Sequence, residues 1–178
     1  MSPYSFRRMT AADLAMVNRW LRTPAVREWW NEGGSAEVFD EDDLADARVR
    51  MWVAAFHGRP FAYVQDYDPH GWPDHVFGGL PPGSRGMDQF IGEPDMLGRG
   101  HGSGLIQAHT DALFAAGAPA VGVDPHPDNA RAIRAYEKAG FARGEERDGD
   151  GGRLLPMTRW RTAPPGTLPP LPRSLPAR

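Results

Sequence analysis

The stretch Leu97-Gly98-Arg99-Gly100-His101-Gly102-Ser103-Gly104 decides how the rest of this 178-residue sequence is interpreted. Its four glycines alternate with other residues, so the backbone can turn its N–H groups inward and a ligand can approach it closely. The helix predicted to follow adds the partial positive charge of its N-terminal end. The pattern indicates a pyrophosphate site, although a flexible connection between a strand and a helix would contain the same residues.

This loop matches neither of the two common phosphate motifs. It lacks the Lys-Ser/Thr pair of a P-loop, and it follows the third or fourth predicted strand instead of opening a Rossmann unit. It is not a serine nucleophile elbow either, because Gly102-Ser103-Gly104 does not have the Gly-x-Ser-x-Gly form. The chain has no cysteine, and its six histidines lack paired ligand spacing, so we expect no thiol nucleophile and no metal site.

Hydrophobic periodicity around the loop predicts an α/β chain. Thr10 and Asp13 resemble a capping box at the start of the first helix, Pro24 is expected to stop that helix, and Gly140 has the position of a C′ residue. The predicted helices cover 11–22, 100–116 and 127–139. The predicted strands cover 51–57, 60–67, 85–91, 119–123, 141–147 and 153–160, with hairpin turns at Gly58-Arg59 and at 148–152. This order predicts a mixed sheet with helices on both faces.

The formal net charge of −3 conceals an uneven distribution of acidic residues. Eight carboxylates occur from Glu28 to Asp46 with no lysine or arginine among them. Such a segment attracts cations and repels nucleic acid. The plainer interpretation is a solvated acidic loop with a short helix.

The ends of the chain bear on location and domain boundaries. No apolar run approaches the ~20 residues of a membrane span, and the N-terminus lacks a signal-peptide pattern, so we expect a cytoplasmic protein. Residues 162–178 contain six prolines, which favour extended conformations over packed structure. We therefore expect one domain over 1–161 and a disordered or loosely packed tail over 162–178.

Several segments together resemble the GNAT acyltransferase superfamily. The glycine loop is similar to the family's acetyl-CoA pyrophosphate loop, Gln/Arg-x-x-Gly-x-Gly/Ala, with Gly100 and Gly102 as its glycines and Leu97 in place of Gln or Arg. Residues 129–141 (NARAIRAYEKAGF) resemble the family's closing helix and the strand after it. More narrowly, Glu28-Trp29-Trp30, Gly86-Met87-Asp88-Gln89 and Val123-Asp124-Pro125 resemble the aminoglycoside 6′-N-acetyltransferases. The resemblance spans about residues 4 to 160, and the loop over 68–84 does not match in detail.

The resemblance implies a mostly antiparallel central sheet with a splayed strand pair, helices on both faces, and acetyl-CoA as cosubstrate. It implies that Asp88 receives or relays the proton of the attacking amine and that the Tyr136 hydroxyl protonates or hydrogen-bonds the departing sulfur. On the residues alone, Asp88 could instead be a surface aspartate paired with Arg85, and Tyr136 a buried core tyrosine. The positions implied for the cofactor are Gln89, Phe90, Ile91, Leu97, Gly98, Arg99, Gly100, His101, Gly102, Ser103 and Asn129.

For the acceptor, the resemblance implies that Trp30 forms a wall against a sugar ring and that Asp124 lies near the substrate's amino groups. Core packing of Trp30 and an ordinary turn role for Asp124 remain as alternatives. Because Trp29 and Trp30 are adjacent in a segment predicted as loop, one is expected to pack inward and the other to line a surface. Weaker candidates for the opposite wall, which could equally be exposed loop residues, are Gln65, Tyr67, Trp72 and Asp74.

The expected function is acetyl-CoA-dependent N-acetylation of a polycationic small molecule, with the 6′-amine of an aminoglycoside antibiotic as the expected acceptor. The amine would attack the thioester directly, without an acyl-enzyme. Two alternatives stay open: a siderophore, lysine or protein N-acyltransferase of the same fold, and a non-catalytic acyl-CoA-binding module. We expect a monomer or weak dimer that binds neither nucleic acid nor a membrane.

Overall fold

The computed structural model describes residues 2–30, 38–149 and 152–162. Within these ranges, seven strands form one sheet and two form a small separate sheet. In chain order the strands are β1 (Tyr4–Arg8), β2 (Val49–Phe56), β3 (Arg59–Tyr67), β4 (Arg85–Ile91), β5 (Ala120–Val123), β6 (Ala142–Arg143), β7 (Arg147–Gly149), β8 (Gly152–Leu154) and β9 (Met157–Trp160). The main sheet has the order β1-β2-β3-β4-β5-β9-β6, and its pairs are antiparallel except for β4 with β5.

The parallel pair β4 and β5 divides the sheet. Its register contains only Arg85 opposite Val121 and Gly86 opposite Gly122, whereas β4 pairs with β3 from Gly86 to Ile91. Beyond Gly86 the two parallel strands therefore separate. The mixed, mostly antiparallel sheet with a splayed strand pair is confirmed.

Helices cover both faces of the sheet, as predicted. They are α1 (Leu14–Leu21), α2 (Pro24–Trp30), α3 (Glu41–Ala45), α4 (His101–Ala115) and α5 (Ala130–Lys138). The first three pack over a cluster that includes Tyr63 and Phe90, and the last two pack over a cluster that includes Met87. Because alternate strand residues point to opposite faces, Asp88 shares the face of Phe90 and not that of Met87. No helix within the described ranges combines the length and apolar character that a bilayer span requires.

Local signals in the sequence set several element boundaries. The Thr10–Asp13 capping box is present, with the Thr10 N–H donating to Asp13 Oδ2 at 2.9 Å. Gly140 follows α5 with φ +89°, and the next residue's N–H donates to the carbonyl of Tyr136 at 3.0 Å, which closes the helix end. Both predictions are confirmed. The β2–β3 turn is centred one residue earlier than predicted, on His57 and Gly58, which both have the positive φ of a tight hairpin.

One element was missed and one predicted element is wrong. The first helix ends at Leu21, before Pro24, as predicted, but Pro24 also begins α2, because proline is tolerated in the first helical turn, where its missing N–H would have no partner. The hairpin predicted from 141–147 and 153–160 is divided into β6 with β9 and the separate pair β7 with β8. Pro156 lies between β8 and β9, and it has no N–H for a continuous ladder. The predicted tail, apart from Thr162, lies outside the described residues.

Candidate active site

Two grooves meet where β4 separates from β5, and both are lined by Asp88 and Asp124. The first, of about 600 Å³, runs from this junction past the outer part of β4 to the start of α4 and the side of α5. We call it the glycine-loop groove. The second, of about 850 Å³, lies between β3, the 68–84 loop and the β7–β8 hairpin. We call it the acidic groove.

The glycines of the predicted phosphate loop have three different roles. Gly98 and Gly100 have φ of +73° and +84°, the left-handed conformation that turns the backbone into α4. Gly102 lies in the first turn of α4 at the groove wall, where a Cβ would lie 3.8 Å from the Cβ of Ala135. Gly104 makes room for the side chain of Tyr4, whose hydroxyl oxygen would stand 2.6 Å from an added Cβ. The first three shape the groove, and Gly104 serves packing.

Most predicted cofactor residues line the glycine-loop groove: Gln89, Phe90, Ile91, Leu97, Gly98, Gly100, Gly102, Ser103 and Asn129. Asn129 also caps α5, since its Oδ1 accepts from the Ala132 N–H at 3.0 Å. Arg99 and His101 are not among the lining residues. The His101 ring turns toward β1 and β2, where its Nδ1 lies 3.1 Å from the Tyr4 hydroxyl. For His101, only the backbone N–H remains as a candidate phosphate contact.

A cationic face of α5, missed in the sequence analysis, also lines this groove. Arg131, Arg134 and Lys138 are spaced three and four residues apart, so they follow one side of the helix beside Ala135. Because Ala135 is also the neighbour of Gly102, these cations lie next to the N-terminal end of α4. Helical spacing alone could have predicted this basic side, but not that it faces the glycine loop.

Carboxylates dominate the acidic groove. Asp74, Asp88, Asp124 and Asp148 line it together with one arginine, Arg147. The predicted wall residues Gln65, Tyr67, Trp72 and Asp74 all line it, while Asp148, Arg147 and His75 were not predicted. Burial lowers the pKa of His75 below its usual value, so this ring adds no positive charge at neutral pH.

Aromatic packing holds one side of the acidic groove. The Tyr67 ring occupies the space above Gly86, where a Cβ would lie 2.2 Å from it. Trp72 meets Tyr67 edge-on with ring centroids 5.5 Å apart, and the Arg48 guanidinium lies 5.0 Å from the Trp72 ring centroid. Arg48 is itself ion-paired with Asp46 at 2.7 Å, so the acidic segment supports this wall indirectly.

The acidic segment contributes little to the groove lining. Of its eight carboxylates, Glu32 and Glu37 lie outside the described residues, and none of the other six lines either groove. Asp40 caps α3 by accepting from the Asp42 and Asp43 N–H groups, and the Asp40 N–H donates to Asp43 Oδ2. This agrees with the plainer interpretation of an acidic loop and short helix.

Among the residues that the structure describes, no arginine pairs with Asp88. The pairing with Arg85 left open by the sequence does not occur: Arg85 binds the fully buried Asp66 at 2.8 Å, on the opposite face of the sheet. Asp88 instead accepts a hydrogen bond from Gln65 Nε2 at 2.8 Å. Burial raises the pKa of Asp88, and burial together with the Asp88 charge raises the pKa of Asp124 to about 7. Near neutral pH this pair can therefore gain or lose a proton.

Tyr136 lies in α5 between the core and the glycine-loop groove. Against the larger effects of burial and charge, the side chain of Gln89 acts to lower the pKa of the Tyr136 hydroxyl. Burial, followed by the nearby Asp88 charge, raises its pKa, so the hydroxyl keeps its proton over the working range of an enzyme. Tyr136 therefore both packs in the core and lines the groove.

Trp29 and Trp30 lie at the end of α2, not in a loop as predicted, and both line the glycine-loop groove. Consecutive helical residues point about 100° apart, so the rings have different neighbours. Trp30 packs edge-on against Phe90 with centroids 4.9 Å apart, and Trp29 lies 5.8 Å from the His126 ring. Trp30 is thus half-buried: it packs against the core cluster and also lines the groove. Within the part of the chain that the structure describes, no group of three or more potential ligands could hold a metal ion.

Comparison with known proteins agrees with this geometry. The profile of the family described as "Acetyltransferase (GNAT) domain" matches residues 9–149. The chain is 36% identical over 151 residues to the aminoglycoside N(6′)-acetyltransferase type 1 of Klebsiella pneumoniae, covering 78% of this chain and 74% of the relative. It also matches solved structures of AAC(6′)-Ib, one in complex with paromomycin and acetyl-CoA, with a TM-score of 0.79, 34% sequence identity and coverage of 89% of this chain and 93% of that one. For an AAC(6′)-Ib complex with coenzyme A and kanamycin, the TM-score is 0.79 and the sequence identity 35%, with coverage of 89% of this chain and 95% of that one.

The splayed sheet and its paired grooves define an acyltransferase fold. The chain belongs to the GNAT acetyltransferase family, as residues 9–149 and the similarity to the Klebsiella enzyme both establish. The resemblance stated from the sequence and the fold class are confirmed.

Proposed function

We propose that this protein transfers the acetyl group of acetyl-CoA to the 6′-amine of aminoglycosides and so confers resistance to them. The observation that carries the proposal is the junction of two oppositely charged grooves at Asp88 and Asp124, in a chain 36% identical to an aminoglycoside N(6′)-acetyltransferase. A cationic groove with a glycine loop suits the phosphates of the cosubstrate. An acidic groove with aromatic walls suits an aminated sugar.

The glycine-loop groove fits acetyl-CoA in its shape and its chemistry. Backbone N–H groups at Gly98 to Gly102, together with the N-terminal end of α4, would bind the pyrophosphate. The groove edge of β4 from Gln89 to Ile91 has no strand beside it among the described residues, so its backbone can pair with the amides of pantetheine. Gly102 leaves the wall open where a larger side chain would stand.

The acidic groove positions the acceptor. Ammonium groups are attracted by Asp74, Asp124 and Asp148, and sugar rings pack against the aromatic walls. Holding an amine beside the thioester replaces an encounter of two molecules by a reaction within one complex, which is a large part of the rate enhancement.

Two proton movements complete the reaction. Asp88 takes a proton from the substrate ammonium, and the freed nitrogen lone pair attacks the thioester carbonyl carbon. The C–N bond forms and the C–S bond breaks; the second amine proton is released to water, and the departing thiolate is protonated from water. Tyr136 donates its hydroxyl hydrogen to the departing sulfur, and its raised pKa favours a hydrogen bond over complete proton transfer. A backbone N–H on the splayed strand polarises the thioester oxygen.

The charge of the acidic groove also bears on which partners the protein binds. The acidic groove repels nucleic acid, and the chain is proposed to act as a monomer or weak dimer in the cytoplasm, where acetyl-CoA is available. No membrane attachment is needed for this chemistry.

Thiol release from acetyl-CoA tests the proposal, with kanamycin, spermidine, lysine and N-terminal peptides offered as acceptors. Kanamycin should be turned over fastest, and NMR of the product should place the acetyl group on the 6′-amine. Faster turnover of lysine or peptides would assign the protein to another branch of the fold. Binding of acetyl-CoA without transfer to any of these amines would favour the non-catalytic module.

A further inference from the structure

A chain of hydrogen bonds leads from the core to Asp88. Tyr63, on β3, is fully buried and donates its hydroxyl to Gln65 Oε1 at 2.7 Å. Gln65 Nε2 donates in turn to Asp88 Oδ2 at 2.8 Å. The register explains this order, since Gln65 is directly opposite Asp88 in the β3–β4 pair and Tyr63 is opposite Phe90 on the same face.

The Tyr63 ring is held on three sides. It is stacked on Phe90 and on Phe39, with centroids 5.1 Å and 4.9 Å away, and Trp30 packs edge-on at 5.8 Å. Burial, followed by the charges of Asp88 and Asp43, raises the pKa of Tyr63. The hydroxyl therefore stays protonated and acts as a donor from a fixed position.

This fixed donor selects one orientation of the Gln65 amide. A side-chain amide has a donor end and an acceptor end, and exchanging them would place Oε1 against the Asp88 carboxylate. With the Tyr63 hydroxyl bound to Oε1, the NH₂ group must face Asp88. One carboxylate oxygen is then occupied, and the other is left for the substrate amine.

We propose that Tyr63 is a positioning residue that acts through Gln65 to hold the Asp88 carboxylate ionised and oriented toward the acceptor. The inference rests on the proposed function, in which Asp88 receives the amine proton. The bond from Gln65 lowers the pKa of Asp88, against the rise caused by burial. The other titratable groups that interact with Asp88 are Asp124 at the end of β5, Tyr136 on α5 and Tyr67 on β3. Of these, only Asp124 gains or loses its charge near neutral pH.

The test is a carbon-13 NMR titration of the Asp88 carboxyl group in the full chain without substrates, with the signal assigned by its loss in Asp88→Asn. In Tyr63→Phe we expect the Asp88 pKa to rise by about one pH unit, because the amide is released from its fixed orientation. Tyr4→Phe is the matched control: it also removes a tyrosine hydroxyl hydrogen-bonded to a side chain, but far from Asp88, and should leave the titration unchanged.

A double-mutant cycle separates this role from general loosening of the core. Gln65→Ala should raise the Asp88 pKa as well, and adding Tyr63→Phe to it should produce no further rise. An unchanged Asp88 pKa in Tyr63→Phe, or an equal rise in the presence and absence of Gln65, would overturn the proposal.

Kinetics with kanamycin distinguish the two proposals. If both hold, the acidic limb of the kcat profile should move to higher pH in Tyr63→Phe by the same amount as the NMR titration, with the KM for acetyl-CoA unchanged. A shifted NMR titration in a protein that does not acetylate any aminoglycoside would reject the proposed function and retain the positioning of Asp88 by Tyr63.

Discussion

The glycine-loop groove and the acidic groove share two aspartates and differ in almost everything else. The lining of the first includes the cations Arg131, Arg134 and Lys138, and that of the second includes the carboxylates Asp74 and Asp148. Under the proposed function, a substrate with phosphates and a substrate with ammonium groups would thus enter different grooves. The difference teaches that two ligands can be separated by the charge of the grooves before they meet at the shared aspartates.

Asp88→Asn should produce the largest effect, because it removes the proton acceptor at the junction while keeping the size of the side chain. We expect kcat with kanamycin to fall by about 10²- to 10⁴-fold, with acetyl-CoA affinity measured by calorimetry nearly unchanged. Asp111→Asn, which removes an exposed carboxylate on α4 paired with Arg159, is the control and should retain activity. Full activity of Asp88→Asn would assign the proton to Asp124 or to water.

Gly102→Val should damage the glycine-loop groove alone. Its Cβ fits in ordinary contact with Ala135 and Ile91, but the two further methyl groups would enter the space proposed for the pyrophosphate. We expect the KM for acetyl-CoA to rise by about tenfold or more, equivalent to at least ~1.4 kcal/mol, with the KM for kanamycin unchanged. Gly102→Ala is the control and should give a much smaller rise in this KM. If Gly102→Val bound acetyl-CoA as tightly as the wild type, the phosphates would bind elsewhere.

Tyr136→Phe removes one hydroxyl between the grooves. The loss in kcat should be about tenfold, since a thiolate of pKa ~8.5 leaves without assistance. The loss should persist from pH 6 to 9, because the hydroxyl remains protonated throughout this range. A variant with wild-type kcat would leave Tyr136 as a core residue only.

Neutralising the charged residues of one groove at a time tests the comparison directly. Arg134→Gln with Lys138→Gln should weaken coenzyme A binding by about three- to tenfold and reduce its salt dependence, because each exposed charge contributes about 1 kcal/mol or less. Asp74→Asn with Asp148→Asn should do the same to kanamycin, whose KM should otherwise rise steeply with salt. Each pair is the control for the other, and a pair that weakened both ligands equally would contradict separate grooves.

Asp124→Asn should weaken acceptor binding and raise the stability of the folded protein above neutral pH. In the folded protein the pKa of Asp124 is about 7, above its ordinary value of 3.8, so the folded state holds this proton more tightly. The stability that this group provides is complete below about pH 4 and is lost as the pH rises through 7. The variant should therefore melt higher than wild type at pH 8, by roughly 2–4 °C for each kcal/mol of repulsion relieved, and the gain should shrink at pH 5. An equal gain at both pH values would contradict the raised pKa.

Local patterns predicted the face of Asp88 and the glycine loop, and the family resemblance implied the splayed strands, but neither predicted what surrounds them. Alternation along β4 placed Asp88 opposite Met87, and glycine spacing placed the loop before α4, because both signals lie within one element. The basic side of α5 and the groove position of Asp148 depend on how distant elements pack. Asp148 reaches the groove only because the final hairpin is divided near Pro156, a division that strand periodicity does not reveal.

Residues with two possible structural roles account for the remaining errors. The first helix ends before Pro24 as predicted, but α2 was missed because a proline that follows one helix can also be the first residue of the next. His101 lies within the glycine loop, yet its ring packs away from the groove because Tyr4 offers it a partner from β1. The assignment of the site residues to cosubstrate and acceptor stays a prediction that the variants above would test.

The short parallel pairing of β4 with β5 also has a consequence for local opening of the molecule. Only two residue pairs join the strands on either side, so backbone amides on the open edge of β4 lack the protection that a neighbouring strand would give. A bound pantetheine arm would supply the missing partners and act as a temporary eighth strand. Amide hydrogen exchange at positions 89 to 91 should then slow on addition of coenzyme A far more than on addition of kanamycin, which makes the cosubstrate a part of the sheet for as long as it stays bound.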